Sequence, residues 1–316
     1  MSGAAVVAAE RFIDALDRND VDELLPLCDP NGSWWVDTGL DRAAGVQGVD
    51  PGQDRPWPLH GTMPLGEKLE LLRGLRTRFP DGCRQRRWHS FGDDRRAVVE
   101  VEGDGVFANG GRYANRYAFA IETRDGLVVR VHEYLDTAHA ADVFSGRHLD
   151  RRTTATEPTP VVVEADPPGA QIGLDFVGAI SAASPDRLAA ITRPDAIWWA
   201  DSGPNREPGR FDAEPRGGDR VPLWGQAVLA DRAKHLPGLI ATFEGGWALH
   251  PQWITAGDTS VAVEAASHGV RGDGSTYQNR YCFVLDLVEG QVAAVREYCD
   301  TLHAFDFFNT RPRPTG

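Results

Sequence analysis

The sequence predicts an α+β fold present twice in tandem. Three segments return at one fixed distance: WWVDTG at 34–39 as WWADSG at 198–203, YANRYAF at 113–119 as YQNRYCF at 277–283, and HEYLDTAH at 132–139 as REYCDTLH at 296–303. Each pair is 164 positions apart, and one offset shared by distant segments marks duplication. Within each copy, helix-like periodicity comes first and strand-like runs follow, the order of an α+β domain whose helices cover one face of a sheet. At 316 residues the chain is long enough for two such domains.

In the first copy, Val6, Val7, Phe12, Ile13 and Leu16 recur at helical spacing. Val21, Leu24 and Leu25 resume the pattern after a break at Asn19-Asp20, where Asp20 is suited to cap a second helix. A short strand is expected at 33–37, then an irregular segment at 39–63, dense in Gly, Pro and Asp, that reads as a functional lid or a disordered insert. A third amphipathic helix is predicted at 65–79 and strands at 84–91, 97–107, 113–123 and 127–134, with Arg124-Asp125-Gly126 as a hairpin turn. The predicted domains are 1–145 and 170–308, joined by a Thr- and Pro-rich linker at 146–169 and followed by a disordered tail at 309–316.

Composition narrows the function. There are 33 basic and 46 acidic side chains, a formal charge of −13, and no Lys/Arg-rich run, so neither nucleic acid nor an anionic membrane is an expected partner. No apolar span is long enough to cross a membrane, and the first 16 residues lack the basic start and long apolar core of a secretory leader. Cys28, Cys83, Cys282 and Cys299 have no metal-ligand spacing and do not recur between the copies, so they are read as reduced thiols of a cytoplasmic protein. No metal site, phosphate loop or cofactor is predicted.

The element order, with RFIDALDRND near the start, WWVDTG after the second helix and DGLVVRVHEYLDT near the end, resembles the SnoaL-like branch of the nuclear transport factor 2-like superfamily. That resemblance implies two tandem cone-shaped α+β barrel domains, each with three helices on a curved, mostly antiparallel sheet around one pocket. Relatives include ketosteroid isomerase, polyketide cyclases, limonene-epoxide hydrolase, dehydratases and non-catalytic binding modules.

Two further likenesses suggest site residues. Similarity to limonene-epoxide hydrolase implies that Glu100, Glu102 and Glu133 point into the pocket of the first copy, with Glu264, Ala266, His268, Asn279, Tyr281 and Glu297 as the set in the second. A Glu replaces that hydrolase's arginine in both copies, and Ala266 replaces an acid in the second, so its relay is not reproduced. Similarity to ketosteroid isomerase places Asp37 and Asp201 where its general base stands, walled by Trp34, Trp35, Trp198 or Trp199, while Phe12 and Phe176 replace its helix tyrosine. Asp37 and Asp201 are read either as catalytic or as turn residues of Asp-Thr-Gly and Asp-Ser-Gly. Asp136 and Asp300 are read as caps of the last helices, His139 and His303 as structural, and Arg116 and Arg280 as lying on the face away from the pocket.

The expected catalytic residues are therefore Asp37, Glu100, Glu133, Asp201, His268 and Glu297. Trp35, Glu102, Asp104, Asn115, Tyr117, Trp199, Glu264, Asn279 and Tyr281 are expected to bind substrate. The expected activity is cofactor-independent acid/base chemistry, as a cyclase, isomerase or dehydratase, on a small hydrophobic oxygenated metabolite. Epoxide hydrolysis and non-catalytic ligand binding or scaffolding are the alternatives, and the two copies are expected to form a pseudo-dimeric monomer or a homodimer.

Overall fold

A computed structural model describes residues 3–36, 61–144, 169–200 and 225–308. Asp37 and Asp201 lie outside the described residues, as do most of the predicted irregular segment, the linker and the tail. The chain divides into two compact units.

The first unit opens with α1 (Ala4–Arg18), whose buried stripe of Ala5, Val6, Ala9, Phe12, Ile13 and Leu16 faces the core. It ends at Asn19 in the left-handed conformation, and Asp20 starts α2 (Val21–Leu24) by accepting the Glu23 N–H at 3.1 Å, the expected cap. Then come β1 (Cys28–Val36), β2 (Gly61–Pro64), α3 (Leu65–Arg73), β3 (Cys83–Gly92), β4 (Arg96–Val106), β5 (Arg112–Arg124), β6 (Leu127–Leu135) and α4 (Thr137–Phe144). The sheet order is β2-β1-β6-β5-β4-β3; β1 runs parallel to β6 and the other pairs are antiparallel. Between β5 and β6, Asp125 and Gly126 both have positive φ, 52° and 78°, as a two-residue hairpin turn requires.

Two expectations are corrected. The α-helix predicted over 65–79 stops at Arg73 and passes into a 3-10 turn at Gly74–Thr77, where Gly74 is a poor helix former. Part of the segment read as irregular is ordered: Gly61–Pro64 pairs with β1 as a strand.

The second unit repeats the plan with α5 (Ala170–Ser181), α6 (Pro185–Ile191), β7 (Thr192–Ala200), β8 (Gly225–Val228), α7 (Leu229–Ala233) and α8 (Leu236–Ile240). These lead into β9 (Glu244–Ala256), β10 (Ser260–Val270), β11 (Thr276–Tyr277), β12 (Arg280–Val288), β13 (Gln291–Cys299) and α9 (Thr301–Phe308). Its sheet runs β11-β10-β12-β13-β7-β8 with β9 on β10, and β7 is again parallel to β13. Ser184 caps α6 as Asp20 caps α2, accepting the Arg187 N–H at 3.3 Å. The helix pair α7 and α8 stands where α3 stands in the first unit, with Pro237 near the start of α8.

Each core is centred on a tryptophan from the strand after the second helix. Trp34 packs between Phe12 and Phe119, at ring separations of 5.6 and 6.1 Å, and Trp198 packs between Phe176 and Phe283 at 5.5 and 6.4 Å. Burying each such aromatic side chain contributes on the order of 2–3 kcal/mol.

Candidate functional site

Strand register decides which side chains meet. Directly paired residues on neighbouring strands point to the same face. Val99 pairs with Phe119, Phe119 with Glu133, and Val101 with Tyr117, so Glu133, Tyr117, Phe119 and Tyr113 share one face of the first sheet. Trp34 joins it through its parallel partner Val131. Glu100, Glu102 and Asp104 pair with Ala118, Arg116 and Ala114 and therefore belong to the opposite face.

The first face encloses a cavity of about 70 Å³, lined by Leu16, Trp34, Lys68, Phe79, Tyr113, Tyr117, Phe119 and Glu133 among others. Glu133 Oε2 accepts the Trp34 indole N–H at 2.7 Å and an ammonium proton from Lys68 at 3.3 Å. Lys68, only 1% exposed, lies 4.9 Å from the centre of the Trp34 ring. Burial pushes the Lys68 ammonium down, and the Glu133 charge opposes that shift.

Across the cavity, the Tyr117 and Tyr113 hydroxyls are hydrogen-bonded, and Asn115 Nδ2 donates to the Tyr113 oxygen at 3.2 Å. His139 stacks on Tyr113 at 5.5 Å and accepts the Ala114 N–H on Nε2 at 3.0 Å, which puts its ring proton on Nδ1 in the neutral form. The ring is in turn carried by α4, where Asp136 caps the helix by accepting the His139 N–H at 3.1 Å. Burial is the main cause that raises both tyrosine hydroxyls, so they remain protonated donors at neutral pH.

The second unit encloses a cavity of about 50 Å³ whose lining matches the first at the 164-residue offset: Trp198, Arg232, Phe243, Tyr277, Tyr281, Phe283 and Glu297. Trp198 Nε1 donates to Glu297 at 2.8 Å, Tyr277 and Tyr281 share a hydrogen bond of 2.8 Å, and Asn279 Nδ2 donates to Tyr277 at 2.8 Å. His303 stacks on Tyr277 at 5.0 Å. The cation differs: Arg232 Nη2 donates to the Gly225 carbonyl at 2.7 Å, and its guanidinium lies 5.5 Å from the centre of the Trp198 ring. Glu297, half-buried on β13, fronts the cavity, with Arg232 close enough to act on its charge. Desolvation raises Glu297 to about 7, against smaller opposing effects of Arg232 and the Trp198 bond.

Of the residues expected from sequence, Glu133, Tyr117, Glu297 and Tyr281 line the cavities. Asn115 and Asn279 stand one step behind, each holding a tyrosine. The expectation that Glu100, Glu102 and Asp104 face the pocket is corrected by the register. Glu100 bonds His89 at 2.7 Å, Glu102 pairs with Arg86 at 3.3 Å and Arg116 at 3.7 Å, and Asp104 pairs with Arg112 at 3.3 Å, all on the other face. Glu264 pairs with Cys282 in register, opposite to Tyr281 and Glu297; His268 has the same parity as Glu264 and bonds Gln278 at 3.2 Å. Trp35 packs on His132 and Tyr134, and Trp199 on Tyr298, so the cavity tryptophans are their neighbours Trp34 and Trp198.

Sequence reasoning missed Lys68 and Arg232, Tyr113 and Tyr277, and the bonds of Trp34 and Trp198 to Glu133 and Glu297. A signal existed: Lys68 and Arg232 are cations 164 residues apart in otherwise divergent helices. Among the described residues no group of three His, Cys, Asp or Glu side chains is arranged to hold a metal ion, and no helix is long and apolar enough to cross a membrane. All four cysteines are free thiols, and burial pushes Cys28 and Cys83 up to about 12.

A sequence model of the SnoaL-like domain matches residues 9–131. No curated protein matches the chain. Among solved structures, a protein of the nuclear transport factor 2-like fold and unknown function from Burkholderia pseudomallei is 18% identical, with 46% of this chain and 98% of that chain covered and a TM-score of 0.37. TerC, co-crystallised with polyporic acid, is 15% identical over 45% of this chain and 98% of its own, with a TM-score of 0.36. An epoxide hydrolase of the limonene-epoxide hydrolase type from M. tuberculosis is 17% identical over 42% and 84%, with a TM-score of 0.31. The matched sequence, the repeat and the two similarly ordered sheets lead to one statement: residues 9–131 match a SnoaL-like domain, and the chain carries the nuclear transport factor 2-like α+β fold in two tandem units.

Proposed function

We propose that the second unit is an enzyme doing acid/base chemistry, as an isomerase, cyclase or dehydratase, on a small hydrophobic oxygenated metabolite. The observation that carries this reading is Glu297: a carboxyl group bonded to the Trp198 indole N–H, fronting a cavity walled by Trp247, Phe243, Phe283 and Leu236, and raised to about 7. A group poised near neutrality gives or takes a proton at little cost, the condition for general acid/base catalysis. The repertoire of the superfamily, which includes polyketide cyclases and epoxide hydrolases, is consistent with such chemistry.

In this mechanism the substrate oxygen accepts the Tyr281 hydroxyl. Here Tyr277 acts as the donor of the hydrogen bond it shares with Tyr281, while its own oxygen accepts from Asn279, so that the Tyr281 proton serves the substrate. An oriented donor in a water-poor site stabilises an enolate or alkoxide far better than water does. Glu297 then moves the proton at the neighbouring carbon or leaving oxygen. Epoxide hydrolysis by a pair of acids is less well supported, because in the first unit Glu100 and Glu102 lie on the face opposite to Glu133.

The test is incubation with a panel of small cyclic ketones, enones, β-hydroxy ketones and epoxides in D2O, following deuterium uptake and new products by proton NMR. The wild type is expected to exchange or convert at least one of them. Glu297→Gln should lose about 10²–10⁴-fold in rate while retaining the ligand. Turnover that survives in Glu297→Gln, or a wild type inert to the whole panel, overturns the proposal.

A further inference from the structure

The cavities share their aromatic wall but diverge at one end. Cys83 and Gln85, on β3, occupy the register positions that Trp247 and Leu249 occupy on β9. Cys83 pairs with Gly105 as Trp247 pairs with Gly269, and Gln85 pairs with Gly103 as Leu249 pairs with Ser267. Asn19, at the left-handed end of α1, becomes Ala183, which is also left-handed. Asn19, Cys83 and Gln85 all line the first cavity; in the second the Trp247 indole lines the wall in place of the Cys83 thiol, and Leu249 holds the register position of Gln85.

Polar chemistry at this end is incomplete. Gln85 Nε2 donates to the Cys83 sulfur at 3.8 Å, while Gln85 Oε1 is buried and has no hydrogen-bond partner among the described residues. A buried acceptor left in this state favours any ligand that brings an O–H to it. At the other end of the cavity Glu133 is already matched by Lys68 and Trp34, so an uncharged ligand suits the site better than an ion.

We infer that the first cavity is a separate binding site for an uncharged hydrophobic alcohol, with Gln85 accepting its hydroxyl proton, and that it holds this ligand without reacting. The site differs from the proposed reaction chamber of the second unit in both ligand and role. Its shape follows from small Cys83 where the other unit has Trp247, and its selectivity from Gln85 where the other has Leu249.

The test uses cyclohexanol and cyclohexanone, rings of similar size of which only the alcohol donates a hydrogen bond. Both are titrated into the full chain labelled with ¹⁵N, and the indole N–H signals of Trp34 and Trp198 report the two cavities separately. Cyclohexanol is expected to move the Trp34 signal with about tenfold higher affinity than cyclohexanone. Gln85→Leu, which installs the residue the second unit carries, should remove that preference. Cys83→Trp should stop the Trp34 response to both probes while the Trp34 indole N–H signal itself stays sharp and dispersed, which shows that the first unit remains folded. Equal affinities in the wild type, a preference that persists in Gln85→Leu, or a Trp34 signal indifferent to both probes overturns the inference. None of these outcomes depends on Glu297, so failure here is separable from failure of the proposed activity.

Discussion

Trp34 donates its indole N–H to Glu133 at 2.7 Å, and Trp198 repeats the bond to Glu297 at 2.8 Å in the second unit. The bond was retained while the cation beside it changed. Lys68 reaches Glu133, but Arg232 turns toward the Gly225 carbonyl and leaves Glu297 near neutrality. One carboxylate is thereby compensated as an ion pair and the other is left able to exchange a proton.

Glu297 should make stability depend on pH. Its folded value of about 7 is raised above the ordinary 4.5, so between these values the folded state holds a proton that the unfolded chain releases. The stability from this group is complete below about pH 4.5 and is lost as pH rises through about 7. Urea denaturation at pH 5 and pH 8 should show a loss in the wild type that is reduced in Glu297→Gln, with the variant gaining most at pH 8.

Lys68→Met should destabilise the first unit by about 3–5 kcal/mol, because it leaves the Glu133 carboxylate buried without its cation. The double variant Lys68→Met/Glu133→Gln should recover much of that loss. A denaturation cycle over the four proteins measures the coupling, and strictly additive losses would show that the two groups act independently.

Tyr281→Phe should lower kcat by about 10²–10³-fold, since it removes the donor assigned to the substrate oxygen. Tyr117→Phe, the matching change in the first cavity, should leave turnover within about twofold, because only the second unit is assigned the reaction. Steady-state rates of the two variants with a substrate from the panel decide the point.

Gly269→Ala should cost about 1–3 kcal/mol through overpacking. A Cβ there would stand 2.7 Å from Phe243 and 2.9 Å from Trp247, both in the cavity wall. Thermal unfolding should register the loss, and ligand binding in the second unit should weaken with it.

Much of the fold was legible because it is written locally. Asp20 announced the start of α2, Asp125-Gly126 announced the β5–β6 hairpin, and alternation along 113–123 announced β5. Parity within a strand was also legible: Tyr113, Asn115, Tyr117 and Phe119 do share a face. The placement of Glu100 with Glu133 failed because parity within one strand carries no information about a neighbouring strand.

The sequence by itself determined the duplication and the order of most elements, since these depend on periodicity, capping and a repeat that need no long-range contact. The tertiary structure decided which of those residues meet. A shift of one position in the pairing of β4 with β5 exchanges the two faces, and that register is set by packing across the whole sheet. It took the folded chain to send Glu100 to His89, to bring Lys68 from a helix onto Glu133, and to set the Trp198 indole on Glu297.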